Sequence, residues 1–264
     1  MDQVSARRFT VGNSCLDIVE DEGALAVRAR REFLEAAESA VQRQGRCAVA
    51  LAGGSTPKRL YGLLAEERRT SFWGRIHFFW GDERWVPPGH PDSNYRMAWE
   101  ILLSKIPIPA ANIHPVPTTL TSAAQTAESY EQTLRAFFAA KSGEPPVFDL
   151  IWLGMGADGH TASLFPGTQA LSERSRWAVA VPLEKPGVDR ISLTLPVINA
   201  GKHVVFLVSG PDKSETLRTV LEDPGKAQAL PAHHVRPTNG TLLWLVDKPA
   251  ASKLTLASQH EPSS

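Results

Sequence analysis

The sequence predicts an α/β protein in which a largely parallel sheet lies between layers of helices. Short apolar runs alternate with helix-like segments along the chain, as in strand–loop–helix units. Most of these runs are continuously apolar and lack the alternation of a half-exposed strand, which is typical of a sheet covered on both faces. The chain has 264 residues, enough to bury a core without disulfides or a structural metal.

In the first half of the chain, helical spacing and turn residues define the elements. Leu25, Ala29 and Leu34 recur at helical intervals with charges between them. Gly45 ends that helix, and Pro57 suits the first turn of the next one. The predicted elements are a helix over 20–43, a strand over 47–52, a loop over 53–56, a helix to about residue 65, a strand over 76–80, and helices over 94–104 and 121–141.

The second half is richer in strands. Strands are predicted over 148–153, 177–181, 191–195, 203–208 and 241–246, with a helix over 212–221. No internal repeat or linker divides the chain, so we expect one domain over residues 1–249. Residues 250–264 are polar and aperiodic, and we expect them to form a flexible tail.

The charge balance excludes some partners. Lys plus Arg and Asp plus Glu each number 28, whereas nucleic-acid binding usually needs a basic excess. No apolar run approaches the roughly 20 residues of a membrane span, and no secretory signal is evident. Cys15 and Cys47 are expected to be free thiols. We therefore expect a cytoplasmic monomer or small homo-oligomer with no nucleic-acid or membrane partner.

Four unusual segments follow predicted strands, at 53–57, 81–87, 154–160 and 209–213. In an open α/β sheet, ligands bind beyond the carboxyl ends of the strands. This coincidence predicts a small-molecule site at that edge of the sheet.

The first two segments suggest an anion-binding loop at 53–57 and the wall of a cleft at 81–87. Gly53 and Gly54 precede a helix whose first amides would attract an anion, and Ser55 adds a hydroxyl; the alternative is an ordinary turn with a helix cap. Asp82 and Arg84 follow an aromatic strand and form either the wall of a cleft or a solvated rim.

The other two segments carry a histidine and a lysine. His160 lies on a Gly-rich turn, two residues after Asp158, and such a pair suits a general base with an orienting carboxylate; the alternative is a histidine that caps a backbone group. Lys213 begins a helix, where the helix dipole disfavours a cation. Lys213 and Arg190 could each bind an anion or simply be solvated.

A stable metal site is not expected, because no third ligand accompanies Asp158 and His160 at a familiar spacing. The GxSxG sequence of a nucleophilic serine is also absent. If the protein hydrolyses a substrate, we expect an activated water to attack it.

Taken together, the segments resemble the 6-phosphogluconolactonase family. The matching stretches are LAGGSTP at 51–57, WGDERWVP at 80–87, SNYRMA at 93–98, LGMGADGHTASLFPG at 153–167, RISLT at 190–194 and VSGPDK at 208–213. The similarity runs in order from about residue 10 to 248.

The resemblance implies a Rossmann-like three-layer α/β/α sandwich without a bound dinucleotide or other cofactor. It implies hydrolysis of 6-phospho-D-glucono-1,5-lactone to 6-phospho-D-gluconate in the oxidative pentose phosphate pathway. His160 would take a proton from water while Asp158 holds the imidazole. The related glucosamine-6-phosphate deaminases carry a glutamate five residues after this histidine, where this chain has Phe165.

The resemblance also suggests roles for the surrounding residues. Gly54, Ser55, Arg190 and Lys213 would surround the phosphate. Arg84 would contact the phosphate or the developing oxyanion.

Two further positions and two alternatives remain open. Asp82 would bind sugar hydroxyls or Arg84, and Asn94 would shape its loop. An amino-sugar phosphate deaminase or isomerase is a competing hypothesis, against which Phe165 argues. A sugar-phosphate sensor without turnover is the other, against which the Asp158–His160 pair argues.

Overall fold

The computed structural model describes residues 5–139, 144–183 and 188–258. Within these residues, the strands form two sheets. The strands are β1 (Arg7–Val11), β2 (Ser14–Val19), β3 (Cys47–Leu51), β4 (Ile76–Trp80), β5 (Asp82–Arg84), β6 (Leu150–Gly154), β7 (Ala178–Val181), β8 (Arg190–Leu193), β9 (His203–Val208) and β10 (Thr241–Asp247).

The larger sheet has seven strands in the order β1-β2-β10-β9-β6-β3-β4. All its pairs are parallel except β1 with β2, and β3 is buried along its whole length. Helices flank the sheet, and the longest of them packs against β3 and β10. The predicted α/β class with a mostly parallel sheet is therefore confirmed.

The α-helices of the described residues range from four to 23 residues in length. They are α1 (Glu22–Gln44), α2 (Thr56–Leu64), α3 (Thr70–Trp73), α4 (Asn94–Ala98), α5 (Ala123–Phe138), α6 (Leu195–Ala200), α7 (Ser214–Glu222), α8 (Pro224–Ala227), α9 (Lys248–Ala251) and α10 (Thr255–Ser258). None of them is both long and apolar enough to cross a membrane.

Helix boundaries follow from local chemistry. Asp21 caps α1 by accepting the amide hydrogen of Ala24, and Gly45 ends the helix in a left-handed conformation. The helix expected over 94–104 begins as α4, capped by Ser93, and continues as a π-helical turn. Residues 140–141 of the predicted helix 121–141 lie outside the described residues.

Three strands were not predicted. β5 consists of three charged or polar side chains and has no apolar run to signal a strand. β1 is an antiparallel edge strand whose residues alternate between half-buried and exposed. In β2, Asp17 interrupts the apolar sequence, and its burial is possible because Arg8 and Arg28 both pair with it.

The prediction of a flexible tail from residue 250 onward is wrong for residues 250–258. Helices α9 and α10 occupy most of this stretch. Ala250, Ala251 and Leu254 are buried in the core. These three side chains pack the segment against the rest of the protein despite its polar composition. Residues 259–264 lie outside the described residues.

The smaller sheet has the antiparallel order β5-β8-β7. It is joined to the larger one where β4 ends, because Gly81 accepts a backbone hydrogen bond from Leu193 (2.8 Å). This junction places β5 and β8 beside the carboxyl ends of the parallel strands.

A buried ionic network ties α1 to the sheet. Arg28 pairs with Asp17 at 2.9 Å and with Glu32, and His203 at the start of β9 lies 2.9 Å from the same Glu32 carboxylate. Burial opposes ionisation of Glu32, but the hydrogen bond from His203 and the charge of Arg28 outweigh it and lower its pKa to about 2. Ionised Glu32 therefore stabilises the fold.

Replacing Glu32 with Gln should lower the free energy of unfolding near neutral pH by roughly 1–3 kcal/mol, because Arg28 loses a buried partner. The ordinary pKa of 4.5 is depressed in the folded state, so this contribution is complete above 4.5 and is lost as the pH falls toward 2. Urea unfolding of both proteins across this range measures the difference.

The control is Glu35→Gln on the same helix, whose exposed carboxylate lies 3.8 Å from Arg31 and should contribute little. A deficit in Glu32→Gln that persists unchanged in acid would contradict the assignment.

Candidate active site

The carboxyl ends of β3, β4, β6 and β9 open into a cavity of about 560 Å³. Each of the four segments singled out in the sequence contributes to its wall. Of the predicted site residues, only Asp158 is outside the lining, and its carboxylate bonds to Nδ1 of His160. The predicted residues that line the cavity are Gly54, Ser55, Asp82, Arg84, His160, Arg190 and Lys213.

The amino end of α2 forms one wall. Gly54 has a φ of +97°, and a β-carbon there would meet no atom within 4 Å, so its backbone lies open to the cavity. The Ser55 side chain makes no hydrogen bond to the helix it precedes. The hydroxyl and first-turn amides of a nine-residue helix are thus available to an anion.

The smaller sheet brings two arginines together. Arg84 on β5 and Arg190 on β8 are direct partners in the antiparallel register, so they project from the same face. Arg84 donates to the Asp92 carbonyl and Arg190 to the Val188 carbonyl. Burial, and then the positive charge of Arg84, lower the pKa of Arg190. An anion between the two guanidinium groups would relieve this repulsion.

Lys213 adds a third cation to the cavity wall. It ends a short 3-10 helix over Pro211–Lys213, directly before α7, and its ammonium group lies 2.9 Å from the Asp212 carboxylate. Asp212 is exposed, so this surface pair holds the lysine only weakly. The ammonium group can therefore exchange its partner for a ligand.

Asp82 is the carboxylate in the cavity wall. Its Oδ2 accepts from the Ser163 hydroxyl at 2.6 Å, and its Oδ1 is 3.5 Å from the Asn94 amide nitrogen. The hydrogen bonds of Asp82 in the described part of the chain do not include one from Arg84, the protein partner that the sequence suggested.

Asn94 is fixed by its surroundings. Its side-chain amide also donates to the Asp82 carbonyl at 2.9 Å. A β-carbon on Gly53 would lie 2.1 Å from the Asn94 side-chain oxygen, so only glycine fits there. Buried Glu83 accepts the Asn94 and Tyr95 amide hydrogens, both at 2.7 Å, and burial raises its pKa to about 7.

His160 and Asp158 form a close pair. The imidazole Nδ1 is 2.6 Å from Asp158 Oδ1, which also accepts the His160 backbone amide hydrogen at 3.1 Å. Burial disfavours a charged Asp158, but its contacts with the His160 amide and imidazole outweigh this effect and lower its pKa. A carboxylate only accepts, so Nδ1 carries the hydrogen and Nε2 of the neutral ring is left basic.

The His160 ring packs closely against Gly156 and Phe165. A β-carbon on Gly156 would lie 2.1 Å from Nδ1 and 2.6 Å from Asp158 Oδ1. The Phe165 ring also contacts the imidazole, with a centroid separation of 4.6 Å. The ring is therefore fixed in a partly apolar setting.

The sequence did not assign roles to Glu83, Gly156, Ser163 or Ser192. Glu83 lies between two cavity residues on β5 and points to the opposite face, which the alternation of a strand would have predicted had β5 been recognised. Ser163 and Ser192 are paired by the tertiary fold alone, and no local signal marks them.

Among the described residues, no group of three or more His, Cys, Asp or Glu side chains could hold a metal ion. The two cysteines are unpaired. The cavity wall itself offers a histidine imidazole together with a set of anion-binding groups.

This combination of a mostly parallel α/β sheet with an anion-binding cavity at its carboxyl edge defines a class of protein with known members. The sequence profile of glucosamine-6-phosphate isomerases/6-phosphogluconolactonase matches residues 20–244.

Similar proteins narrow this class. A 6-phosphogluconolactonase from Nostoc sp. is 43% identical over 241 residues, which cover 91% of this chain and 98% of the relative. One from Synechocystis sp. is 45% identical over 215 residues, covering 81% and 88%. The solved structure of 6-phosphogluconolactonase from Trypanosoma brucei matches with a TM-score of 0.83 at 33% identity, covering 93% and 100%. The chain belongs to the 6-phosphogluconolactonase family.

Replacing Gly156 with Ala should displace the His160 ring and break its bond to Asp158, because the new methyl group would overlap Nδ1. The ¹⁵N resonances of the imidazole report this change: the Nδ1-protonated tautomer should lose its preference. The control is Gly62→Ala on α2, where a β-carbon meets nothing within 4 Å. Unchanged ring resonances in Gly156→Ala would show that His160 is held by other contacts.

Proposed function

We propose that this protein hydrolyses 6-phospho-D-glucono-1,5-lactone to 6-phospho-D-gluconate in the pentose phosphate pathway, with His160 as the general base. The observation that carries the mechanism is that a basic imidazole, paired with an ionised carboxylate, lines the same cavity as three cations. Membership of the 6-phosphogluconolactonase family supports the substrate.

In the proposed reaction, His160 Nε2 takes a proton from a water molecule as its oxygen attacks the lactone carbonyl carbon. The tetrahedral intermediate then collapses, the bond from the carbonyl carbon to the ring oxygen breaks, and His160 returns the proton to the leaving oxygen. Asp158 holds the ring and stabilises its charged form between these steps. Such general-base assistance contributes roughly 10²–10⁴ in rate.

The phosphate would be bound by the amino end of α2 together with Arg190 and Lys213. Gly54 and Ser55 contribute backbone amides and a hydroxyl, and the two cations supply charge. Arg84 lies beside Arg190 in register, which favours a share in the phosphate site. The Ser163 hydroxyl donates to Oδ2 of Asp82, so Oδ1 would accept a hydrogen bond from a sugar hydroxyl.

Phe165 supports hydrolysis over amino-sugar isomerisation. Its ring lies against His160 at the position where the resemblance places the glutamate of the deaminases, and a phenyl ring transfers no proton.

The proposal includes the cytoplasmic location that the sequence suggests. The unpaired cysteines accord with this location, because thiols are kept reduced there.

His160→Ala should lower kcat by roughly 10²–10⁴-fold with little change in KM, since the base acts in the transition state. Lactone disappearance, corrected for spontaneous hydrolysis, measures this. His234→Ala is the control, because His234 bonds to the Gln228 carbonyl and does not line the cavity. Near-normal turnover by His160→Ala would remove His160 from the role of base.

Lys213→Ala and Arg190→Ala should each raise KM for the phosphorylated lactone by roughly 10- to 100-fold, the worth of a charged hydrogen bond. Hydrolysis of glucono-1,5-lactone, which lacks the phosphate, should change little. Lys253→Ala is the matched control, as this exposed lysine pairs with Glu215. If both variants keep the parent's preference for the phosphorylated lactone, the phosphate lies elsewhere.

A further inference from the structure

Ser163 lies in a tight turn that also carries the His160 imidazole. Thr161 and Leu164 exchange backbone hydrogen bonds across this turn, and the Thr161 hydroxyl donates to the Gly154 carbonyl at 2.9 Å. Ala162 between them has a φ of +47°, a left-handed conformation that is unfavourable for a residue with a β-carbon. The turn is thus fixed to the end of β6.

Both hydrogen-bond donors of buried Ser163, the amide and the hydroxyl, reach the smaller sheet. Its amide donates to the Ser192 hydroxyl at 3.2 Å, and its own hydroxyl donates to Asp82 Oδ2 at 2.6 Å. Asp82 on β5 and Ser192 on β8 are register partners. Ser163 therefore binds a residue pair that spans two strands.

The same face of these strands carries the arginine pair. Arg84 and Arg190 lie two residues along from Asp82 and Ser192, respectively, in the same register. Within the described part of the chain, the two hydrogen bonds of Ser163 are those that join the His160 turn (156–165) to β5 and β8. One residue thus links the turn that carries the imidazole to the two strands that carry the arginines.

We propose that Ser163 is a positioning residue that sets the distance between the His160 imidazole and the arginine pair of the phosphate site, Arg84 and Arg190. A phosphorylated lactone is held at one end and reacts at the other, so the spacing of base and cations decides whether the carbonyl carbon lies within reach. A misplacement of about 1 Å can cost roughly 100-fold in rate. This inference rests on the proposed function.

The test compares two substrates. In Ser163→Ala, kcat for the phosphorylated lactone should fall roughly 10- to 100-fold with KM within about threefold, because the phosphate still binds but the carbonyl carbon no longer meets the base. Hydrolysis of glucono-1,5-lactone should be nearly unchanged, since no phosphate dictates its placement. The ratio of the two kcat/KM values is the readout.

Thr126→Val is the matched control. Like Ser163→Ala, it removes a hydrogen-bonded hydroxyl from a buried residue, here one on α5 that donates to the Ser122 carbonyl, away from the cavity. It should keep the parent's ratio. An equal loss on both lactones in Ser163→Ala, or no loss, would overturn the positioning role. If the parent itself hydrolyses neither lactone, the proposed function fails, and this inference with it.

Two further variants keep the test decisive. Ser192→Ala removes the hydroxyl on β8 that accepts from the Ser163 amide, and it should lower the same ratio. If Ser163→Ala does not fold, an unchanged ratio in Ser192→Ala overturns the proposal. Adding Ser163→Ala to Asp82→Asn should cost little beyond Asp82→Asn alone, since the serine acts through that carboxylate. Additive losses would contradict this route.

Discussion

The antiparallel register of β5 with β8 is the constraint on which the cavity depends. Opposite residues of such a pair share a face, so Asp82 with Ser192, and Arg84 with Arg190, form two adjacent rows. Only two strands of three and four residues are needed. A one-residue slip of β5 would turn Asp82 and Arg84 away from the cavity, and the hydrogen bond from Leu193 to Gly81 holds β8 against the larger sheet.

The imidazole depends on a second constraint, which is the lack of a side chain at position 156. Gly156 leaves the space that His160 and Asp158 occupy, as Gly53 does for Asn94. In both places a glycine after a parallel strand permits the close approach of a polar side chain. The Gly-rich segments of the sequence thus have two physical functions, since Gly54 exposes its backbone amide whereas Gly53 and Gly156 accommodate neighbours.

Most of the fold could be predicted because its central strands are continuous apolar runs, and the position of the site followed from polar segments at their ends. β5 could not be predicted, because three charged or polar residues carry no strand signal. The contact of Asp82 with Ser163 joins positions 81 residues apart, and no local pattern encodes it. The ordered segment around α9 was missed because its buried residues, mostly alanines, lack a conspicuous periodicity.

The like-charged arginine pair has a consequence for turnover. The proposed reaction leaves the phosphoryl group unaltered. Arg84, Arg190 and Lys213 would therefore bind the lactone substrate and the open-chain acid product with similar affinity. Such uniform attraction aids capture without lowering the barrier. The protein must then distinguish lactone from acid at the opposite end of the sugar, where ring opening creates a new carboxylate in a cavity whose wall also carries the Asp82 carboxylate. Repulsion between these like charges would help to expel the acid that the cations retain.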